Sequence, residues 1–388
     1  VCLFKKIIFL FFTLFGVQTV FAYPDFIGYG YTSCMTCHFN GAGGGALNDY
    51  GRGLFAAEIA AKPPWQRRTS DEKLAFQSGF LGSKTLPWWV RPGIKYRGLY
   101  FRTDPGSRSS ISRFVQMQLD VNSAIFFDKD QKWTLYGSGG YVPKPQGSNG
   151  SKEQERNFIS REYYIKWQKN ENFWVYLGFL DKVYGIRTPD HTAFSRKQVG
   201  VAQNDQAHSI LFQYSNEKND FFIQPFLGNL NQEKDLRQVG ASLMYEYQPI
   251  EKLRVGGSFL SSKNDYARLD RGALHLRFGI DKGHSVLTET GLIQDTPASS
   301  GKSSLGAYGL FQSTLRLQRG LNFISIGQYY KKKLDSVTDD QTKWGLGILY
   351  FPMQRFELRV EALNTKTIAA DEVPDPGWSL QTQLHLSL

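Results

Sequence analysis

The sequence predicts an all-β fold, a transmembrane antiparallel β-barrel of about 16 strands with a small helical segment at its N-terminal end. Three observations carry that expectation. From Ile94 onward, apolar and polar residues alternate with a period of two. The connections between the alternating runs are in turn short and long. Composition agrees: Tyr, Phe and Trp make 15% of the chain and Gly is abundant at 38 residues. No run after Ala22 reaches the roughly 18 consecutive apolar residues of a membrane helix. An aromatic, Gly-rich chain of this kind suits a barrel with lipid outside and water inside.

Residues 1–22 read as a secretory signal peptide. Lys5 and Lys6 form the positive start, Ile7 to Val17 the apolar stretch, and Val20-Phe21-Ala22 a small-residue cleavage site. Cys2 leaves with it, so the exported chain keeps only Cys34 and Cys37. Loss of Lys5 and Lys6 takes the formal charge from +11 to +9. Export argues against nucleic acid as a partner and favours the anionic headgroups of outer-membrane lipid.

Residues 23–62 form the next unit. Cys34-Met35-Thr36-Cys37-His38 has the C-x-x-C-H spacing of c-type haem attachment. Two cysteines two residues apart reach neighbouring vinyl groups of one porphyrin, and the following histidine is placed to ligate the iron. A zinc site needs four ligands, and no further Cys lies nearby. A redox dithiol belongs in a βαβ context that is missing here. Cys34, Cys37 and His38 are therefore the candidate cofactor residues, for one covalent haem c, with His38 the proximal iron ligand. Glycines surround the motif, from Gly28 and Gly30 to Gly41 and Gly43–Gly45. A short helix should follow, capped by Asn48 or Asp49, with Leu47, Tyr50, Leu54, Phe55 and Ile59 on one apolar face.

The run Leu47-Asn48-Asp49-Tyr50-Gly51-Arg52-Gly53-Leu54-Phe55 adds to the haem motif. Together, from Cys34 to Ile59, they resemble the haem segment of fused outer-membrane monohaem cytochrome–porins, a family that includes iron-oxidising members. The resemblance implies a cytochrome segment ahead of a porin-like barrel and makes extracellular ferrous iron one donor to consider. The Gly41–Gly45 insertion departs from the family pattern and lengthens the span between His38 and Leu47.

The distal iron ligand is not legible in this segment. No second His lies in residues 23–62, and Met35 is trapped inside the attachment loop. So short a segment cannot enclose a haem alone, so the barrel should complete the pocket. The candidates there are His191, His385 and His275; parity places His275 and His385 in the lumen with Arg271 and Arg277. A lone histidine is more often an ordinary polar wall residue.

Residues 63–92 read as a connector, opened by Pro63-Pro64-Trp65. Residues 93–388 hold the barrel, with strands expected at 93–103, 111–122, 132–142, 158–168, 173–182, 208–216, 220–228, 238–248, 252–261, 270–280, 284–294, 306–318, 321–330, 342–351, 355–364 and 378–388. Strands 173–182 and 220–228 are apolar on both parities. Tight turns fall at 128–131, 169–172, 216–219, 248–251, 281–283, 319–320 and 352–354. Longer loops, such as 143–156, 183–207, 295–305 and 364–377, lie between them, in the outer-membrane pattern of short periplasmic turns and long external loops. An even strand count returns both ends of the barrel to the periplasm. The longest loop, 183–207, has two readings: it folds into the lumen as a constriction with Asp190 and His191 near the haem, or it is a solvated surface loop.

No nucleotide-binding glycine loop, G-x-S-x-G or H-E-x-x-H is present. The expected function is electron transfer between periplasmic carriers and an extracellular donor or acceptor, through a haem held in or at the lumen of an outer-membrane barrel. Two alternatives stand beside it: a passive porin whose haem segment is a plug or redox gate, and a peroxidase-like enzyme with an open iron site.

Overall fold

The computed structural model describes residues 24–82, 86–105, 109–141, 158–190, 192–202, 205–338, 340–368 and 377–388. The signal peptide expected at 1–22 and the candidate ligand His191 lie outside these residues.

The alternating runs form the strands β1 (Val90–Pro105), β2 (Ile111–Phe126), β3 (Trp133–Tyr141), β4 (Phe158–Ile159), β5 (Tyr163–Asn170), β6 (Phe173–Leu180), β7 (Ala207–Ser215), β8 (Asn219–Phe226) and β9 (Val239–Ile250). They continue as β10 (Leu253–Lys263), β11 (Ala267–Ile280), β12 (His284–Pro297), β13 (Ser304–Gln318), β14 (Leu321–Lys331), β15 (Asp340–Met353), β16 (Phe356–Ile368) and β17 (Gly377–Ser387). The short β4 and the following β5 both pair with β3 and act as one interrupted strand. The wall thus has the 16 members expected. Each pairs antiparallel with its sequence neighbours, and β1 closes the cylinder on β17 from Lys95 opposite Ser387 to Pro105 opposite Gly377.

The pleat sorts the side chains as the sequence pattern requires. On β2, Leu119 and Val121 face outward while Gln118, Asp120 and Asn122 are buried inside. On β16, Glu357, Arg359 and Glu361 are buried in the lumen. Aromatic pairs mark both rims: Trp133 stacks on Trp167 at 5.7 Å near the short turns, and Trp344 meets Trp378 edge-on at 5.2 Å near the long loops. Such girdles sit where a bilayer meets water.

The two strands that are apolar on both parities have a physical reason. Trp174 and Tyr176 of β6 and Phe222 of β8 turn inward, into a buried cluster with Phe39 of the N-terminal segment; Met35 packs against it. These strands face lipid on one side and a docked segment on the other, so neither face is wet. The longest loop also turns inward. Its backbone N–H groups at Val183, Gly185 and Phe194 donate to Gln224 of β8, Ser258 of β10 and Gln328 of β14 at 2.7, 2.9 and 2.8 Å. Of the two readings of this loop, the inward one is what the structure shows, with the loop held by lumen-facing polar residues.

Candidate functional site

The N-terminal segment lies across the end of the barrel that carries the short turns. It begins on the β11–β12 turn, where Gly283 N donates to Gly28 O at 3.0 Å, and Asp25 accepts from Gln312 and Thr314 inside the lumen at 2.7 and 2.6 Å. Thr32 then donates to Gln248 near the end of β9 at 2.7 Å. Its far end is clamped by Arg319, which donates to Ala60 O at 2.7 Å and Ala56 O at 3.1 Å, and by Ala61 N on Phe351 O at 2.8 Å.

Within it, Cys34–Thr36 forms a single 3-10 turn. His38 then pairs with Leu47 in an isolated antiparallel bridge that closes a glycine loop. Gly43, Gly44 and Gly45 all have positive φ, at 89, 73 and 66°, a conformation glycine tolerates best. The loop presses on the barrel wall. A Cβ on Gly44 would lie 2.5 Å from the Arg187 guanidinium, and one on Gly41 would lie 2.1 Å from Gln213. Arg187 in turn donates to Gly43 O, and Lys95 to Gly45 O. The glycine loop is thus one of the contacts that seat the segment.

The expected helix forms at Asp49–Leu54, with Asn48 as N-cap accepting from Gly51 N at 2.8 Å, and runs on as a π-helical turn, Phe55–Ile59. Leu54 and Ile59 are buried as expected. Tyr50 is not: it is 53% exposed and packs on Tyr31. Gly51 takes the inward position because the helix crosses the haem-motif backbone there; a Cβ would stand 2.4 Å from Cys37 O. Arg91 at the start of β1 holds the helix through Asp49 at 2.7 Å.

Cys34, Cys37 and His38 open onto a cavity of about 380 Å³ walled by the segment and by the barrel together, within the roughly 300–1,000 Å³ of ordinary cofactor sites. Both cysteines are free thiols. Burial pushes the Cys34 thiol up and that of Cys37 up to about 12. Burial, with Lys95 and Arg187 nearby, depresses His38 to about 3, which keeps its imidazole neutral, the form that ligates metals. Among the described residues, nine basic side chains line this cavity against five acidic ones.

The residues fit a haem. Three buried polar atoms without a hydrogen-bond partner stand together on the cavity wall, Nε2 of His385, Nε of Arg97 and Oε1 of Glu357. The basic excess suits a ligand bearing two carboxylates, and the thiols and His38 stand in attachment order.

The distal candidates separate. His385 lines the cavity. His275 faces the lumen but binds Glu246 at 3.0 Å and is not among the cavity walls. Asp190 sits 3.8 Å from Lys343 and is not among the walls either; its loop contributes Arg187 instead. Met35 accepts from Gln213 at 3.3 Å, turned to the barrel wall. Sequence reasoning missed Arg187, Lys95, Arg97 and Glu357. All but Arg187 lie on alternating strands, but nothing local marked which lumen residues the segment would meet.

No family model matches the chain, and neither does any curated protein sequence. Its fold is similar to OmpT of Vibrio cholerae in a loop-deletion form, at TM-score 0.60 and 10% identity over 77% of this chain and 99% of that one. It is also similar to the outer-membrane channel DcaP of Acinetobacter baumannii, at TM-score 0.57 and 11% identity over 77% and 97%. An anion-selective porin from Comamonas acidovorans matches at TM-score 0.57 and 9% identity over 77% and 99%. At such identities the likeness is one of fold: the chain is a closed, 16-membered antiparallel barrel of the outer-membrane porin type.

Proposed function

We propose that this protein is an outer-membrane electron conduit: a monohaem c-type cytochrome segment seated in the periplasmic mouth of a porin-type barrel. The observation that carries this reading is the shared cavity, onto which Cys34, Cys37 and His38 open and which the barrel completes. The bound group would supply one-electron redox chemistry. The chain's residues would do the rest: Cys34 and Cys37 hold the group covalently, His38 ligates its iron, the basic walls balance its carboxylates, and the barrel excludes lipid. Periplasmic carriers would exchange electrons at the short-turn end and an extracellular donor or acceptor at the other. Ferrous iron is a donor by family resemblance.

The test is the full-length protein purified from outer membranes. Haem staining should persist after denaturing electrophoresis and vanish in Cys34→Ser/Cys37→Ser. In proteoliposomes containing an enclosed periplasmic cytochrome, that cytochrome should be reduced by an external donor only with the intact protein. Haem that is absent, or removed by denaturation, defeats the reading.

The porin-type fold favours a second reading, a solute channel with the segment as its plug. Planar-bilayer conductance separates the two. An intact protein conducting as freely as an unplugged barrel, whatever its redox state, would favour the channel.

A further inference from the structure

We propose that His385, on the last strand of the barrel, is the distal axial ligand of the haem iron, and that Glu357 is its positioning residue; this rests on the haem reading above. Four features of the site carry it.

His385 walls the cavity onto which the haem motif opens. Its Nε2 is buried and has no hydrogen-bond partner. Its other ring nitrogen, Nδ1, faces Glu357 Oε2 at 3.2 Å. That is the arrangement of metal-binding imidazoles, in which a carboxylate takes one nitrogen and leaves the other, more basic, for the metal. Lastly, the three lumen residues Arg97, His385 and Glu357 lie side by side in register across β1, β17 and β16. They form a continuous wall at the barrel's closing seam, and Lys95, on the same seam, is a charge neighbour of both His38 and His385.

No other histidine among the described residues meets these conditions. His275 has the same pairing, Nε2 on Glu246 at 3.0 Å with Nδ1 buried and unpartnered, but it does not line the cavity onto which the haem motif opens. His208 is engaged with Tyr163 at 2.5 Å and accepts from Leu230 N at 3.1 Å. His284 accepts from Arg316 N at 3.1 Å. The consequence is structural as well as electronic: the two axial ligands come from opposite ends of the chain, so ligation staples the cytochrome segment to the barrel seam.

The experiment is absorption and electron paramagnetic resonance spectroscopy of the full-length holoprotein, with covalent haem content and heat-modifiable electrophoretic mobility as checks on loading and folding. The expected result is a six-coordinate low-spin iron in the wild type, a high-spin iron in His385→Ala, and a return to low spin when imidazole is added. His385→Met should instead show the spectrum of mixed His/Met ligation and a raised midpoint potential. Glu357→Gln should stay low-spin, but external imidazole should displace the distal ligand at a concentration about 10–100-fold lower. A five-coordinate wild type overturns the proposal, and so does a low-spin spectrum unchanged in His385→Ala and His385→Met. Both outcomes leave the haem reading intact. Absence of covalent haem from the wild type is a different failure and removes that reading itself.

Discussion

At the scale of single residues, the N-terminal segment is built on a few contacts that admit little change. Gly51 touches the carbonyl of Cys37 so closely that any Cβ must displace the attachment loop. Gly51→Ala should cost about 1–3 kcal/mol of segment stability, as forced overpacking does. The measurement is limited proteolysis of residues 24–62 in the holoprotein, which should be cut faster than in wild type. Asn48 does two jobs, capping the helix and donating to Thr36 O at 3.1 Å. Asn48→Ala should cost about 1 kcal/mol through the lost cap, again read as faster cleavage of the segment. Arg187 is paired with Glu162 and Asp181, both buried carboxylates, and with Gly43 O. Arg187→Ala takes the nearest cation from both carboxylates, leaving Arg196 at 3.9 Å from Asp181 and Asn40 at 3.4 Å from Glu162; breaking a buried pair outright costs about 3–5 kcal/mol, the upper end of what is expected here. Its expected phenotype is an undocked glycine loop, seen as faster hydrogen exchange at residues 41–46.

Among the elements, two block the lumen and they rest on each other. The inward loop between β6 and β7 bonds in sequence to β8, β10, β12 and β14, then meets the glycine loop through Arg187. Replacing residues 188–201 with a short Gly/Ser linker removes the upper obstruction but leaves Arg187 and the haem segment in place. Single-channel conductance should rise only modestly. Deletion of residues 24–62 from the mature chain should raise it far more, since that segment spans the mouth from the β11–β12 turn to the β15–β16 end. Equal effects would show that the segment does not obstruct the pore. Fourteen of the 16 wall members were readable from alternation; β6 and β8, apolar on both parities, were placed only by their length and the turns flanking them. Their inward side chains were misleading only in isolation: the lumen beside them is filled by Phe39 and its neighbours, so burial replaces wetting there.

For the whole molecule, the even number of wall members and the short turns set the polarity of the assembly. The haem motif and both ends of the barrel lie at the short-turn mouth, the periplasmic end in barrels of this type. On the proposed conduit reading, a basic chain with a basic cavity should exchange electrons with acidic carriers at rates that fall as salt rises. Stopped-flow oxidation of the reduced holoprotein by an acidic periplasmic cytochrome, at increasing ionic strength, checks this. A rate independent of salt would place the exchange surface away from the basic mouth.

What the sequence by itself determined is local or periodic. C-x-x-C-H is chemistry confined to five consecutive residues, and the barrel follows from a period of two and the spacing of turns, which each strand displays alone. The helix cap at Asn48 is of the same kind. Tertiary structure decided everything that depends on which wall residues the plug meets. Parity put His275 and His385 in the lumen alike; the β16–β17 hairpin set Glu357 beside His385, and only closure of β1 on β17 brought Arg97 to them. The glycine insertion and Arg187 acquired their roles only through docking. The physical reason is that a pocket shared between the two ends of a chain is a fact of packing: its members have no common spacing, and burial alone brings them together.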